Sequence, residues 1–462
     1  MWSHGTPMAF RKRRRIKHRD AFSLFLLPQD VSLLRSVAPD IGNGPPVCKI
    51  ELARLGLTSA MQADTQKISP PPDELIDYAR RIRHELHQIP ELAFQEELTS
   101  QLICSELKAM GVPFKAGLAG GTGIAALISG RRTSRGVVGI RAEMDALPVE
   151  EATGVRYASR HAGQMHACGH DGHMAIALAT CRKLWQNRDS LPSGILVYFQ
   201  PAEEGFNGGD LICRGLESLG VLPNVVFGLH GWPEMQVGTI ATRPGILLAA
   251  VDTIELTVSG KGTHGSQPQR GRSPIPCAGY LTTQLHLSSA GAGADGSVVL
   301  SIGSVHAGTA ANIIPSTAVL RGTLRTLAKS TRQETLRWIG EVCRNAARRF
   351  RCRVKVDINS STPAVVNDEA CTELLLQTGR AFLGAGRAKR LSTPYLWSED
   401  FAYMLQKTRG CFFVLGTCPK GRRSYPMLHS PLYDFPDAAL PVGIGIMSAM
   451  AVAAAHHLQT EG

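Results

Sequence analysis

The sequence predicts an α/β fold: a main domain with a largely parallel sheet flanked by helices, interrupted by a smaller α+β domain. Three observations carry this. Short continuous apolar runs such as GIAALI, GILVYFQ and NVVFGL alternate with segments of helical periodicity, the pattern of strands buried on both faces. From about residue 247 the strands instead alternate polar and apolar residues, as in VDTIELTVSG, so that one face is exposed. From about Pro363 the buried runs and helices return, in CTELLLQTGRAFLG and GCFFVLGT, which makes the middle unit an insertion.

The elements follow in order. After the proline run SPPPDEL, Asp73 is placed to cap a helix through ELIDYARRIRHELHQIP, where Leu75, Ile76, Ala79, Ile82 and Leu86 recur at helical spacing. A second helix, EELTSQLICSELKAMG, ends at Gly111. Then come the strands GTGIAALISG and GVVGIRAEMDALP, the helix GHMAIALATCRKLWQ, and the strands GILVYFQPAEEG and NVVFGLHGWP. The inserted unit reads as the strand VDTIELTVSG, the helix PIPCAGYLTTQLHLSS, the strands SVVLSIGSVHAG and NIIPSTAVLRGTLRT, the helix RQETLRWIGEVCRNAARRF and the strand CRVKVDINSS. That β-α-β-β-α-β order suits a small sheet covered by helices on one face. The expected division is 1–60 as a basic leader or mis-assigned start, 61–246 and 363–462 as the two parts of the main domain, and 247–362 as the insertion.

Composition bounds the function. A chain of 462 residues with 44% apolar and 19% charged residues is an ordinary globular protein of two or three domains. Its eleven cysteines form no CxxC pair and no regular spacing, which points to a reducing, cytoplasmic setting. Of the formal charge of +12, half lies in residues 1–60, which hold ten Lys/Arg against four Asp/Glu. Much of it is the run RKRRRIKHR, Arg11 to Arg19; with AFSLFLLP behind it, this resembles a secretory signal but lacks a clear cleavage site, and Met61 is an alternative start. The body is only mildly basic, so no nucleic-acid partner is expected. The run AALPVGIGIMSAMAVAAA is long enough to span a bilayer, but Pro441, Gly443, Gly445 and its alanine richness suit a helix packed tightly against a sheet, and no membrane partner is expected.

In open α/β sheets, ligands bind beyond the carboxyl ends of the strands. Asp145 in MDALP, Cys168 and His170 in ACGHDGH, Glu203 and Glu204 in QPAEEG, and His230 in GLHGWP all sit at such ends. Thiolate, imidazole and carboxylate together are ligands for zinc or manganese. Adjacent glutamates diverge, so one can bind metal while the other serves as general base toward a metal-activated water.

These residues also carry a resemblance. LHQIPELAFQE, RAEMDALPVEEATG, MHACGHDGHMA, QPAEEG, GLHGWP, NIIPSTAVLRGTLRT, SEDFAYML and LHSPLYDFPD closely resemble the amidohydrolase branch of the aminoacylase and carboxypeptidase-G metallopeptidase family, from about residue 74 to 458. That branch includes hippurate hydrolases, N-acyl-amino-acid amidohydrolases and plant auxin-conjugate hydrolases. The resemblance implies a two-metal centre in the catalytic domain, with Cys168 as a bridging thiolate, His170, Glu204, His230 and His429 as the other ligands, and Glu203 as general base. His429 is named by the resemblance alone. Asp145 and Asp171 would orient ligand histidines through their ring N–H groups, while His166 and His173 are left as packing residues. The insertion is then a lid that dimerises, with His264 reaching the partner's site to stabilise the oxyanion. Asn312 and Arg325 would hold the substrate carboxylate, a task that suits the planar guanidinium.

Three departures stand out. Glu143 occupies a position where relatives commonly carry aspartate, THGSQPQRG is a more polar lid loop than usual, and Thr362 stands where glutamate-cleaving members place arginine. The expectation is a cytoplasmic homodimer holding two divalent ions, Mn2+ or Zn2+ with Co2+ or Ni2+ also accommodated. It would cleave N-acyl amino acids, hippurate-like conjugates first, to a carboxylic acid and a free amino acid. The alternatives are a dipeptidase or carboxypeptidase with the same centre, and a non-catalytic metal-binding relative, against which the intact Glu203 and ligand set argue.

Overall fold

The buried apolar runs pair into one eight-stranded sheet in the order β1-β2-β4-β3-β5-β16-β6-β15. Its strands are β1 (Phe114–Leu118), β2 (Gly123–Ile128), β3 (Val137–Glu143), β4 (Gly194–Gln200), β5 (Val225–Gln236), β6 (Ile240–Thr242), β15 (Ala388–Arg390) and β16 (Arg409–Cys418), while β7 (Gly245–Leu248) and β14 (Val365–Asn367) pair with each other. The four central strands run parallel, with Val137 opposite Gly194, Val138 opposite Val225, and Val225 opposite Arg409. The structure, a computed structural model, describes residues 70–130, 136–289 and 297–460. The basic run, the leader and Met61 lie outside the described residues.

Side chains alternate between the two faces of this sheet, as strand geometry requires. On one face Val225, Phe227 and Leu229 join Cys411, Phe413 and Leu415 in a core to which helices α1 (Asp73–His87), α3 (His170–Gln186) and α8 (Leu440–Thr460) contribute. On the other face Val226 and Phe412 pack with Phe401 and with Ile212 and Leu216 of α4 (Gly208–Ser218). Helix α2 (Glu97–Met110) buries Ile103 and Leu107 in the first core. Asp73 does not cap α1 as expected: Pro72 is the N-cap, and Asp73 and Glu74 lie in the first turn, where negative charge complements the exposed backbone N–H groups.

The middle segment forms a second, four-stranded sheet, β10-β12-β8-β13, with every pair antiparallel. Its order along the chain is β8 (Ala250–Ser259), α5 (Ile275–Ser289), β10 (Val298–Ala307), β12 (Thr317–Thr326), α6 (Lys329–Phe350) and β13 (Arg353–Thr362). The helices supply Cys277, Leu281, Ile339 and Cys343 to a core with Ile254, Leu256 and Val258. NIIPSTAVLRGTLRT, expected as one strand, is two. Pro315, which has no N–H to donate, separates β12 from β11 (Ile313–Ile314), which pairs instead with β9 (Thr263–His264).

Helix α8 is long and apolar enough to cross a membrane, yet 67% of its most apolar stretch is buried inside the protein. Its two glycines explain the fit. A β-carbon on Gly443 would meet Ile176 of α3 at 2.4 Å, and one on Gly445 would meet the Phe382 ring of α7 (Glu369–Leu383) at 2.1 Å. The helix therefore packs tightly between helices as well as toward the sheet. Gly445→Val is expected to destabilise the fold by about 1–3 kcal/mol through overpacking. A chemical denaturation midpoint unchanged from wild type would show that Phe382 moves aside freely.

Candidate metal centre

The candidate ligands come from a helix start, a strand, the turn after a strand and a distant loop. Cys168 precedes α3, and Gly169, with φ of 85°, turns the chain so that His170 opens the helix. Glu203 and Glu204 follow β4 after Ala202, a non-glycine residue at φ 57°. His230 lies within β5. His429 comes from a distant loop, itself at φ 66°, and is held to the cysteine loop by its N–H donating to Ala167 O at 2.8 Å. Two strained non-glycine backbones at one site mark positions that the surrounding structure holds in place.

The structure brings all five candidate ligands together. Cys168 Sγ lies 3.3 Å from His230 Nε2, and donor atoms of Cys168, His170 and Glu204 fall within 4.8 Å of one another. His429 Nε2 stands 3.3 Å from Glu204 Oε1. The tautomers are set by the far side of each ring. His170 Nδ1 faces Asp145 O at 2.8 Å, and His230 Nδ1 faces Gly231 O at 2.8 Å, so each donates there and leaves its Nε2 lone pair toward the cluster.

One buried atom of this set, His170 Nε2, has no hydrogen-bond partner. Burial, reinforced by Glu204 and Glu203, holds the Cys168 thiol well above its ordinary range. Burial opposes protonation of His170, but the hydrogen bond to Asp145 and the charge of Glu143 outweigh it and lift its pKa to about 10. Buried carboxylates beside a buried thiol and imidazole are short of positive charge. A divalent cation among thiolate, imidazole and carboxylate donors meets that need, so the residues present fit such an ion.

The base candidate Glu203 sits beside this set. Its carboxylate lies within 4.8 Å of Glu399 and Asp400, and burial followed by those charges and that of Glu204 raises its pKa well above the ordinary range. The acids are tied to one guanidinium. Arg141 Nη2 donates to Glu399 Oε1 at 2.8 Å and to Asp400 Oδ1 at 3.0 Å, Nη1 donates to Glu143, and Nε donates to Gln200 Oε1 at 3.0 Å. Glu143 Oε2 accepts from His173 Nδ1 at 3.0 Å, and His173 Nε2 accepts the Gly231 N–H at 2.9 Å. His173 thus has both nitrogens engaged, although it stands close to His170 and His230.

The remaining site candidates divide. Asp145 adjoins two of the candidate ligands: its backbone carbonyl takes the His170 bond at 2.8 Å, and its Oδ2 accepts the Glu204 N–H at 2.9 Å. Asp171 turns away from the ligand histidines: its hydrogen-bond partners are His87 Nδ1 at 2.9 Å and Arg83 Nη1 at 3.3 Å. His166 is buried with neither ring nitrogen bonded, and burial lowers its pKa to about 3. His264 is exposed, with Nδ1 2.7 Å from Ser266 Oγ, and lies beside Asn312 because Gly265 N–H donates to Asn312 O at 2.7 Å. Arg325 donates from Nη1 to Leu396 O at 2.9 Å.

Sequence reasoning missed Arg141, Glu399, Asp400 and the Arg83–His87 pair, and it read His173 as packing. A signal for Arg141 and Glu143 was present: two opposite charges at i and i+2 inside the buried run VVGIRAEM must find partners. Nothing marked His87. Both of its nitrogens face carboxylates, Asp171 at 2.9 Å and Glu151 at 3.3 Å. Burial opposes its protonation, yet these charges lift its pKa to about 9. Because that is above the unfolded value of about 6.5, its stabilisation is complete below pH ~6.5 and lost as pH rises to about 9. The stability difference between wild type and His87→Gln should shrink by about 3 kcal/mol across that window; a constant difference in denaturation at pH 6 and pH 10, roughly either side of it, would contradict a charged His87.

Comparison with known proteins agrees with this architecture. Residues 139–453 match the model of Peptidase family M20/M25/M40. The chain is 37% identical over 340 residues to the N-acetyl-L-cysteine deacetylase of Bacillus subtilis, covering 73% of this chain and 79% of that protein. It is 33% identical over 402 residues to IAA-amino acid hydrolase ILR1-like 2 of Arabidopsis thaliana, covering 86% and 89%. Among solved structures it resembles the Bacillus subtilis YXEP protein, described as a dinuclear metal binding peptidase, with a TM-score of 0.70 and 30% identity over 83% of this chain and 99% of that one. The chain belongs to peptidase family M20/M25/M40.

Proposed function

We propose that this protein is a metal-dependent amidohydrolase that cleaves the amide bond of N-acyl amino acids, yielding a carboxylic acid and a free amino acid. The observation that carries the reading is the meeting of Cys168, His170, Glu204, His230 and His429 at one place with Glu203 beside them. The family and the relatives' activities on acylated amino acids support it. Two divalent ions, manganese or zinc in first place, would be held by these five residues. When bound, the ions supply Lewis acidity to the scissile carbonyl and to the attacking water.

The chain's own groups do the rest. Glu203, whose environment favours holding a proton, takes one from the water and returns it to the departing nitrogen, so that water adds across the amide with no acyl-enzyme. Asn312 and Arg325 hold the substrate's carboxylate, and His264 stabilises the oxyanion across a homodimer formed by the 247–362 lid. That segment, between 61–246 and 363–462, is the inserted domain. Ten cysteines among the described residues, none in a disulfide, support a cytoplasmic setting.

The test is release of free amino acid from N-acyl amino acids and dipeptides by chelator-treated protein, with manganese or zinc restored. Glu203→Gln is expected to keep bound metal and lose about 10²–10⁴-fold in kcat. Full activity in that variant, or turnover that ignores both chelation and added metal, would overturn the reading; preferential cleavage of dipeptides would move it to a dipeptidase.

A further inference from the structure

The strand face that carries His230 continues into an aromatic cluster that the reaction as described does not use. Even-numbered residues of β5 share one face, so Trp232 follows His230 on the same side, about 7 Å further along the strand. The Trp232 ring stands 4.5 Å from that of Tyr395, tilted by 39°, and 5.5 Å from that of Trp397 in an edge-on arrangement at 69°. Met235 and Leu391 pack against the same cluster.

Tyr395 and Trp397 are fixed, not free-hanging. Tyr395 N–H donates to Leu247 O at 2.9 Å, Ala249 N–H donates to Trp397 O at 2.8 Å, and Arg325 Nη1 donates to Leu396 O at 2.9 Å between them. Arg325 therefore uses one of its five N–H groups to hold this loop and keeps others for an anion.

Two features distinguish a binding wall from filled core. Trp397 leaves 36% of its surface exposed, although an interior tryptophan would be covered. Trp232 is only 4% exposed, yet its indole N–H has no hydrogen-bond partner, whereas a buried indole N–H ordinarily finds one.

We propose that Trp232, Tyr395 and Trp397 line the subsite for the side chain of the amino acid that the reaction releases, and select a bulky apolar or aromatic one. The inference rests on the proposed reaction. Arg325, the group assigned to the α-carboxylate, bonds the carbonyl of Leu396 between two of the rings, and His230, a candidate ligand, precedes Trp232 on one strand face, so the rings adjoin both groups that would hold the substrate. Offset and edge-on ring contacts suit a planar side chain, and the Trp232 N–H is a donor for a heteroatom on it.

The experiment uses the full, metal-loaded chain with N-acetyltryptophan, N-acetylglycine and N-benzoylglycine, comparing wild type with Trp397→Ala and Trp232→Phe. Wild type should favour N-acetyltryptophan over N-acetylglycine in kcat/KM. Trp397→Ala should reduce that ratio by about tenfold and leave the ratio of N-benzoylglycine to N-acetylglycine unchanged. Trp232→Phe, which keeps a ring and removes the N–H, should reduce the first ratio by less. An equal fall on all three substrates is the signature of a purely structural role and would overturn the assignment, as would a change confined to the benzoyl ratio, which would give the rings to the acyl half.

Calorimetric binding of tryptophan against glycine separates this inference from the reaction it rests on. Tighter binding of tryptophan, weakened in Trp397→Ala, upholds the subsite even if no substrate is hydrolysed, in which case the proposed reaction alone fails. Equal binding of the two amino acids overturns the subsite.

Discussion

The buried guanidinium of Arg141 is the fixed positive charge around which the rest of the site is arranged. It reaches Glu143, Glu399 and Asp400, three carboxylates from two separated parts of the chain, and it ties Gln200 at the end of β4 to them. A charge this deep is tolerated only when paired and hydrogen-bonded, and removing one partner of such a set typically costs about 3–5 kcal/mol. Arg141 does not, however, balance the acids that lie beyond it. Glu203 stands against Glu399 and Asp400, and Glu204 lies with Cys168 and His170 in a second group. The fold therefore carries more buried acid than its own cations neutralise, and a divalent ion is the natural complement.

A second buried guanidinium does for the candidate ligand loop what Arg141 does for the acids around Glu203. Arg83 on α1 reaches Asp171, directly after His170, and also Asp434 and Asp437 near the start of α8. The loop that carries Cys168 and His170 is thus pinned from behind by charge, while His173 secures the Gly231 backbone beside His230. Ligand geometry is set by these outer contacts as much as by the ligands, as metal sites generally require. Glu143 joins the two halves of this network, reaching both Arg141 and His173.

Much of this was legible in the sequence, and for identifiable reasons. Strands β3, β4, β5 and β16 were readable because burial on both faces leaves continuous apolar runs, and the inserted sheet because burial on one face leaves alternation. Cys168, His170, Glu203, Glu204 and His230 were readable because polar residues at the carboxyl ends of buried strands need an explanation. His429 was not: it lies on a loop without periodic signal and was reached only through family resemblance. Short pairings such as β6 with β15, three residues each, also leave no pattern. Asp73 was misread as a cap because a turn residue before a helix is a good signal, while the preceding Pro72, with its fixed extended backbone, took that position. The hydrogen-bond partners of Asp171, His87 and Arg83, were invisible because pairings across the fold carry no local pattern.

The most direct test of the central claim, that the Cys168 thiolate sits between divalent ions at the edge of the sheet, is optical absorption of the cobalt-substituted protein. Cobalt bound by a thiolate gives a charge-transfer band in the near ultraviolet. The account predicts that this band saturates as two ions bind and disappears in Cys168→Ser, while the folded structure is retained. A band that survives in Cys168→Ser, or cobalt binding without any thiolate band, would contradict it.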